Sequence, residues 1–210
     1  MKNVRVMLEP LLLEDREQFI LDNQWAFKYG AMMEFGERDS HIDGDGEIIS
    51  RATIEQCIDA PDREVYRIVT DGRKVGGVIL RIDKITHHNE LEILFVLPEE
   101  HSKGVGYGAW CAVEKLHPET IVWETCTPYF EKRNIHFYVN KCGFKIDQFW
   151  CEYFTPEHEA CGDDNSKVGE RSAEERPDGR ERCDDDKLGD RECRADEGPD
   201  EMFRFVKYMR

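Results

Sequence analysis

A chain of 210 residues that is 40% hydrophobic and 10% aromatic is long and apolar enough for one domain with a sizeable core. Its formal net charge of −16 disfavours a nucleic-acid partner, because phosphate contacts need a basic surface. No apolar stretch reaches the length of a membrane span, and the start, Met1 to Val6, lacks a signal-peptide hydrophobic region; the expected setting is the cytoplasm, with no membrane partner.

From the N-terminus, hydrophobic periodicity predicts alternating strands and helices. Val4 to Leu8 reads as a first strand. Glu14 to about Met33 reads as a helix carrying apolar Phe19, Ile20, Trp25 and Phe27, with Gly30 a place where it could end early. Gly36 to Ser50, rich in Gly, Asp and Ser, is a loop, and Thr53 to Ile58 is a short helix stopped before Pro61. Glu64 to Thr70 and Lys74 to Ile82 form a hairpin across Asp71-Gly72, a strong turn pair. Leu91 to Leu97 is nearly all apolar and therefore a central strand. A helix from Gly104 to Leu116, a strand from Thr120 to Thr125 and a helix from Tyr129 to Lys141 follow. The chain then closes with a long strand, Phe144 to Phe154, and a final one, Met202 to Tyr208.

Residues 157–201 interrupt this order. They hold 18 acidic and 8 basic side chains, a net charge of −10, and their branched aliphatics are Val168 and Leu188 alone. Such a segment buries too little surface to offset the entropy of ordering, so the expectation is a disordered acidic insertion before the last strand of a single domain, 1–210. The eight cysteines include no Cys-x-x-Cys, and Cys57, Cys111, Cys126, Cys142 and Cys151 sit in apolar or helical patterns that suit reduced core thiols. No structural metal is expected.

Between the apolar strand and the helix lies His101-Ser102-Lys103-Gly104-Val105-Gly106-Tyr107-Gly108. Its glycines let the backbone approach an anion, and the helix N-terminus adds the positive end of its dipole. Alone, the turn reads equally as an ordinary tight connection. It is followed by Phe137-Tyr138-Val139-Asn140-Lys141-Cys142-Gly143-Phe144. Together the two blocks resemble the GNAT superfamily of N-acetyltransferases. That family carries Gln/Arg-x-x-Gly-x-Gly/Ala at the turn after its fourth strand and Tyr-x-x-x-Gly-Phe at the end of its fourth helix; here His101 replaces Gln or Arg. The resemblance spans about residues 1–155 and the last ten.

The resemblance implies a GNAT fold in the α/β (α+β) class. This is a mixed, mostly antiparallel sheet of about seven strands with helices on both faces, splayed between its fourth and fifth strands. It implies an acyltransferase that moves acetyl from acetyl-CoA, as cosubstrate, to a primary amine in a ternary complex. The backbone of Ser102, Lys103, Gly104, Val105, Gly106 and Tyr107 would hold the pyrophosphate, with His101 facing phosphate if protonated. Leu94 and Val96 would pair with the pantetheine arm, Leu94 N–H reaching the thioester carbonyl, and Asn134 would contact the same region. Tyr138 would serve the departing thiolate, and a phenol of pKa about 10 is nearly matched to a thiol.

A base for the amine is sought at Glu90 and Glu92. They share strand parity, so they are expected on one sheet face alongside Leu94 and Val96; the alternative is that both face solvent at a strand start. Cys126 lies where the sheet would splay, and packing beside the thioester explains it better than an acyl-cysteine. The acceptor is expected to be a small or peptide amine, cationic given the acidic insertion, and the family leaves room for a homodimer. A non-catalytic acyl-CoA-binding regulatory module is the alternative reading, and an interaction protein recruiting a basic partner is a third.

If residues 157–201 steer a cationic acceptor over about one Debye length, about 8 Å at physiological salt, they act on encounter and not on chemistry. Replacing them with a short turn should leave the turnover number unchanged and raise the Michaelis constant for the acceptor, an effect that fades at high salt. Equal Michaelis constants at low salt in the deleted and full-length proteins would remove the steering role.

Overall fold

Asp71 and Gly72 both take positive φ, 50° and 72°, the backbone that a two-residue hairpin turn demands. They join β2 (Arg63–Thr70) to β3 (Arg73–Arg81), and this hairpin is the centre from which the sheet extends. The structure, a computed structural model, describes residues 5–35, 47–150 and 201–209. β1 (Val6–Pro10) pairs with β2, and β4 (His88–Val96) pairs with β3. β5 (Val122–Pro128), β6 (Lys145–Trp150) and β7 (Met202–Tyr208) complete seven strands in the order β1-β2-β3-β4-β5-β7-β6. Every neighbouring pair is antiparallel except β4 and β5. The expected mixed sheet is thus the observed one.

Helices cover both faces. α1 (Arg16–Phe35) and α2 (Arg51–Asp59) lie on one, where Phe19, Ile20 and Ile54 pack against Ile79, Ile93 and Phe95. α3 (Val105–Leu116) and α4 (Lys132–His136) lie on the other, where Val105, Trp110 and Val113 pack against Val78, Leu80, Trp123 and Phe205. Arg67 on β2, 1% exposed, fixes α1 through Asp15 at 2.6 Å and Asp22 at 2.8 Å. Gly30 does not end α1, which runs on to Phe35. No described helix is long and apolar enough to cross a membrane.

Two local departures shift residues relative to simple periodicity. In β4 the register moves between Ile93 and Leu91, which oppose Ile79 and Leu80 in turn, so Glu92 sits in a bulge. Leu91 therefore joins the α3-side core while Ile93 and Phe95 join the α1-side core, although all three share parity. The expectation that Glu90 and Glu92 face the same way as Leu94 and Val96 fails for this reason. Leu94 and Val96 pack on the α3 side. Glu90 alternates with Leu91 and so faces α1 and α2, and Glu92 reaches Cys57 of α2.

The second departure is in the expected helix from Tyr129 to Lys141. α4 covers Lys132–His136, and Phe137–Cys142 then wind as a π-helical turn. Gly143 stands five positions after Tyr138, one more than in Tyr-x-x-x-Gly-Phe. The wider turn absorbs the extra residue, with Gly143 N–H donating to Tyr138 O and Gly143 closing the helix at φ 82°. β6 is described to Trp150; the expected continuation to Phe154, Val4 of the expected first strand, most of the Gly36 to Ser50 loop and the acidic segment before Glu201 lie outside the described residues.

β3 approaches its neighbours closely through two glycines. A Cβ at Gly76 would stand 2.2 Å from the Phe95 carbonyl oxygen, whereas one at Gly30 would meet nothing within 4 Å. Gly76→Ala should therefore cost about 2 kcal/mol or more by forcing β3 from β4, and Gly30→Ala should stabilise α1 by up to about 1 kcal/mol. Urea unfolding of both variants checks this pair of opposite signs.

Candidate active site

β4 and β5 pair over three positions only, His88 with Val122, Asn89 with Trp123 and Glu90 with Glu124, and then part. The fork is fastened by Thr125, whose hydroxyl donates to Leu91 O at 2.8 Å, and below it by Asn89 Nδ2 donating to Thr120 Oγ1 at 2.7 Å. Leu97 N–H donates to Val75 O at 2.9 Å, toward β3. Alternation then turns the backbone groups of Leu94 and Val96 away from β3, into the fork.

At the top of the fork lies the glycine turn. Ser102 at φ 64° and Gly104 at φ 85° are left-handed, and the latter is the N-cap of α3. No side chain caps that terminus, and the first helical bond is Gly108 N–H to Gly104 O at 2.9 Å. The N–H groups of Val105, Gly106 and Tyr107 thus have no intrahelical acceptor and gather at the positive end of the dipole. Val105 is otherwise a core residue, 1% exposed. A Cβ at Gly106 would stand 3.5 Å from the Phe137 ring and 3.8 Å from Val96, so the glycine keeps the backbone open between the turn and the strand end.

His101 is half-buried, with Nε2 2.8 Å from Val96 O and its ring edge-on to Tyr29 of α1 at 5.7 Å. Burial pushes its pKa down, the Val96 bond opposes this, and Arg133 nearby lowers it further. The ring is thus held at the end of β4 by its contact with Val96 O. Lys103 is turned to Glu100, Nζ to Oε2 at 3.1 Å.

Tyr138 is 8% exposed and packs among Phe137, Phe144 and Phe205 on the α3 side. Its phenol reaches Thr125, and burial pushes its pKa up to about 12, well above a free thiol. Asn134, exposed on α4, is separated from Tyr138 by the start of the π-turn.

On the opposite face, Glu90 bonds Arg81 at 2.9 Å and Glu92 bonds Arg63 at 2.6 Å. Burial pushes Glu90 above the usual carboxylate range; Arg81 pulls it down, while Glu92 and Glu124 push it up. Cys126 shares this face, and burial, then the charge of Glu90, push its thiol up to about 12. Glu124 is the residue that sequence reasoning missed. It stood in plain view within an alternating strand, but only the parallel register with Glu90 gives it meaning. Tyr138 and Glu90 are thereby brought to one fork from opposite faces of the sheet. Among the described residues, no group of three His, Cys, Asp or Glu is placed to hold a metal ion.

Residues 25–144 match the model of the Acetyltransferase (GNAT) family. Over 154 residues the chain is 44% identical to YrkN, an uncharacterized protein of Bacillus subtilis strain 168, covering 73% of this chain and 80% of that one. Its fold is similar to that of the PaiA N-acetyltransferase from Thermoplasma acidophilum in complex with coenzyme A, with TM-score 0.54 and 21% identity over 68% of this chain and 91% of that one. It is also similar to spermidine N-acetyltransferase from Vibrio cholerae in complex with CoA and spermine, with TM-score 0.54 and 13% identity over 97% and 95% of the two chains.

The raised pKa of Cys126 has a direct chemical reading. At pH 8 its alkylation by iodoacetamide should be about a thousandfold slower than that of a free peptide thiol, because the thiolate fraction is smaller by that factor. Mass mapping of the Cys126 peptide over time measures the rate; labelling as fast as a free thiol would contradict the buried, charge-crowded position.

Proposed function

The chain belongs to the GNAT acetyltransferase family, and on that premise we propose that it transfers the acetyl group of acetyl-CoA directly to a primary amine in a ternary complex. The observation that carries this reading is the fork itself. It has an uncapped helix N-terminus at its mouth, strand backbone turned into it along one arm, and a buried phenol and a half-buried carboxylate on its two faces.

The residues present fit acetyl-CoA. Backbone N–H groups from Ser102 to Tyr107 would hold the pyrophosphate, since Gly104 takes a conformation that other residues resist and Gly106 leaves room for close approach. Leu94 and Val96 would hold the pantetheine arm by strand-like pairing, with Leu94 N–H as donor to the carbonyl. Because His101 already engages Val96 O, the arm is left the remaining groups of these two residues. Bound there, the cosubstrate would supply an acetyl thioester at the parting of the strands.

An amine acceptor near neutral pH is mostly ammonium, so a proton must leave before its nitrogen can attack. Glu90, the register partner of Glu124 where the strands part, takes that proton on a carboxylate oxygen; Glu92 is held by Arg63 through both its oxygens. Tyr138 keeps its proton throughout the working pH range and offers it, as a hydrogen bond first, to the sulfur as charge develops. Cys126, held protonated, takes no part as nucleophile. The acceptor is a primary amine of cationic character, and residues 157–201 attract it without doing chemistry.

Two variants separate binding from chemistry. Gly106→Ala meets only ordinary contacts in the fold and should weaken acetyl-CoA binding by at least about tenfold, about 1.4 kcal/mol, by calorimetry. Tyr138→Phe should bind acetyl-CoA as before and lose roughly 10 to 1,000-fold in turnover across a panel of polyamines, aminoglycosides, amino acids and peptide N-termini. A fully active Phe variant removes Tyr138 from the mechanism, and coenzyme A binding with no thiol release to any amine leaves a binding module.

A further inference from the structure

Across the fork, on the α1–α2 face, four charged residues form one row: Arg81 on β3, Glu90 on β4, Glu124 on β5 and Arg204 on β7. Glu90 and Glu124 are direct register partners, the last pair before the strands part. Arg81 bonds Glu90 at 2.9 Å. Arg204 grips Glu124 through both carboxylate oxygens, at 2.7 Å and 3.1 Å, and its third nitrogen bonds Asp147 of the β6 edge at 2.5 Å. Each glutamate side chain keeps only about a quarter of its exposure, 25% for Glu90 and 26% for Glu124.

We propose that Glu124, held by Arg204, is a positioning residue for Glu90: it fixes a second carboxylate in register across the fork, so that an acceptor ammonium is seated between the two and gives its proton to Glu90. The proposal rests on the acetyl-transfer reading. In this step one N–H bond of the ammonium breaks, its electron pair stays on nitrogen for the attack, and one O–H bond forms on Glu90; the proton passes to solvent after turnover. Glu90 and Glu124 stand side by side on adjacent strands at the point where these part, each bonded on its outer flank by an arginine. The row as a whole is neutral, so it selects a single ammonium by placement and not by excess charge.

Glu90 is faced by Arg81 from β3, Arg63 from β2, Glu124 and Cys126 from β5, Cys57 from α2 and Glu92 on its own strand. Among these, Glu124 is the like charge across the gap. Neutralising it makes ionisation of Glu90 easier, so the midpoint of Glu90 must fall, whereas removing Arg81 must raise it.

The test is side-chain carboxyl NMR of the full-length protein carrying labelled glutamate, with Glu90 assigned by its loss in Glu90→Gln. In Glu124→Gln the Glu90 midpoint should fall by about half a pH unit or more. In Arg81→Gln it should rise, and in Asp147→Asn, beyond Arg204, it should stay. The acid limb of kcat/KM for the acceptor should follow the same signs, with kcat/KM at least about tenfold lower in Glu124→Gln and partly restored in Glu124→Asp. An unmoved Glu90 midpoint in a folded Glu124→Gln protein overturns the proposal whether or not the protein transfers acetyl. A moved midpoint in a protein that acetylates no amine removes instead the transfer reading on which the proposal rests.

Discussion

The parallel contact between β4 and β5 is three residue pairs long, and the candidate site exists because it is no longer. A sheet that stayed closed would satisfy the backbone of Leu94 and Val96 with β5 and leave no gap. A sheet that failed to pair at all would have no reason to hold Glu90 beside Glu124. The short contact is secured at both ends by side chains: Asn89 with Thr120 where the strands meet, and Thr125 with Leu91 O where they separate. β7 pairs with β5 along its whole length, from Val122 with Tyr208 to Pro128 with Met202, so the diverging strand keeps a full ladder on its other side. Opening the sheet therefore costs hydrogen bonds on one edge only, the edge that faces the fork.

Because the fork passes through the sheet, its two faces do different work. The α3 side is aromatic and buried around Tyr138, with Phe205 and Phe144 within 5.7 Å between ring centres. The α1–α2 side is ionic, and each carboxylate near the fork has an arginine. Burial raises the proton affinity of Tyr138 and of Glu90 alike. For the phenol this keeps a proton in reserve and separates it from the near match with a thiol expected from its ordinary pKa. For the carboxylate, in the transfer proposed, it would make a better acceptor for an ammonium proton than a solvated glutamate.

Features that depend on neighbouring residues were legible in the sequence, and features that depend on strand registration were not. Asp71-Gly72 specified its hairpin because positive φ is a local property. The glycine turn was legible for the same reason, as was the apolar run of β4. The bulge at Glu92 was hidden because buried and half-buried residues alternate without a break from Asn89 to Val96, while the side to which they alternate switches. The contact of His101 with Val96 O was hidden because a strand-end carbonyl carries no sequence signature. Glu124 was invisible because a parallel register is fixed by everything between the strands, α3 included.

The π-helical turn after α4 has one further implication. In an α-helix an added residue rotates everything beyond it by about 100°. Here the wide turn between Tyr138 and Gly143 confines the extra residue, so Phe144 N–H still closes onto Tyr138 O at 3.0 Å and β6 still begins at Lys145. The turn therefore acts as a length buffer between the end of the helix that serves the fork and the end that serves the scaffold, and the two can change in sequence length independently of one another.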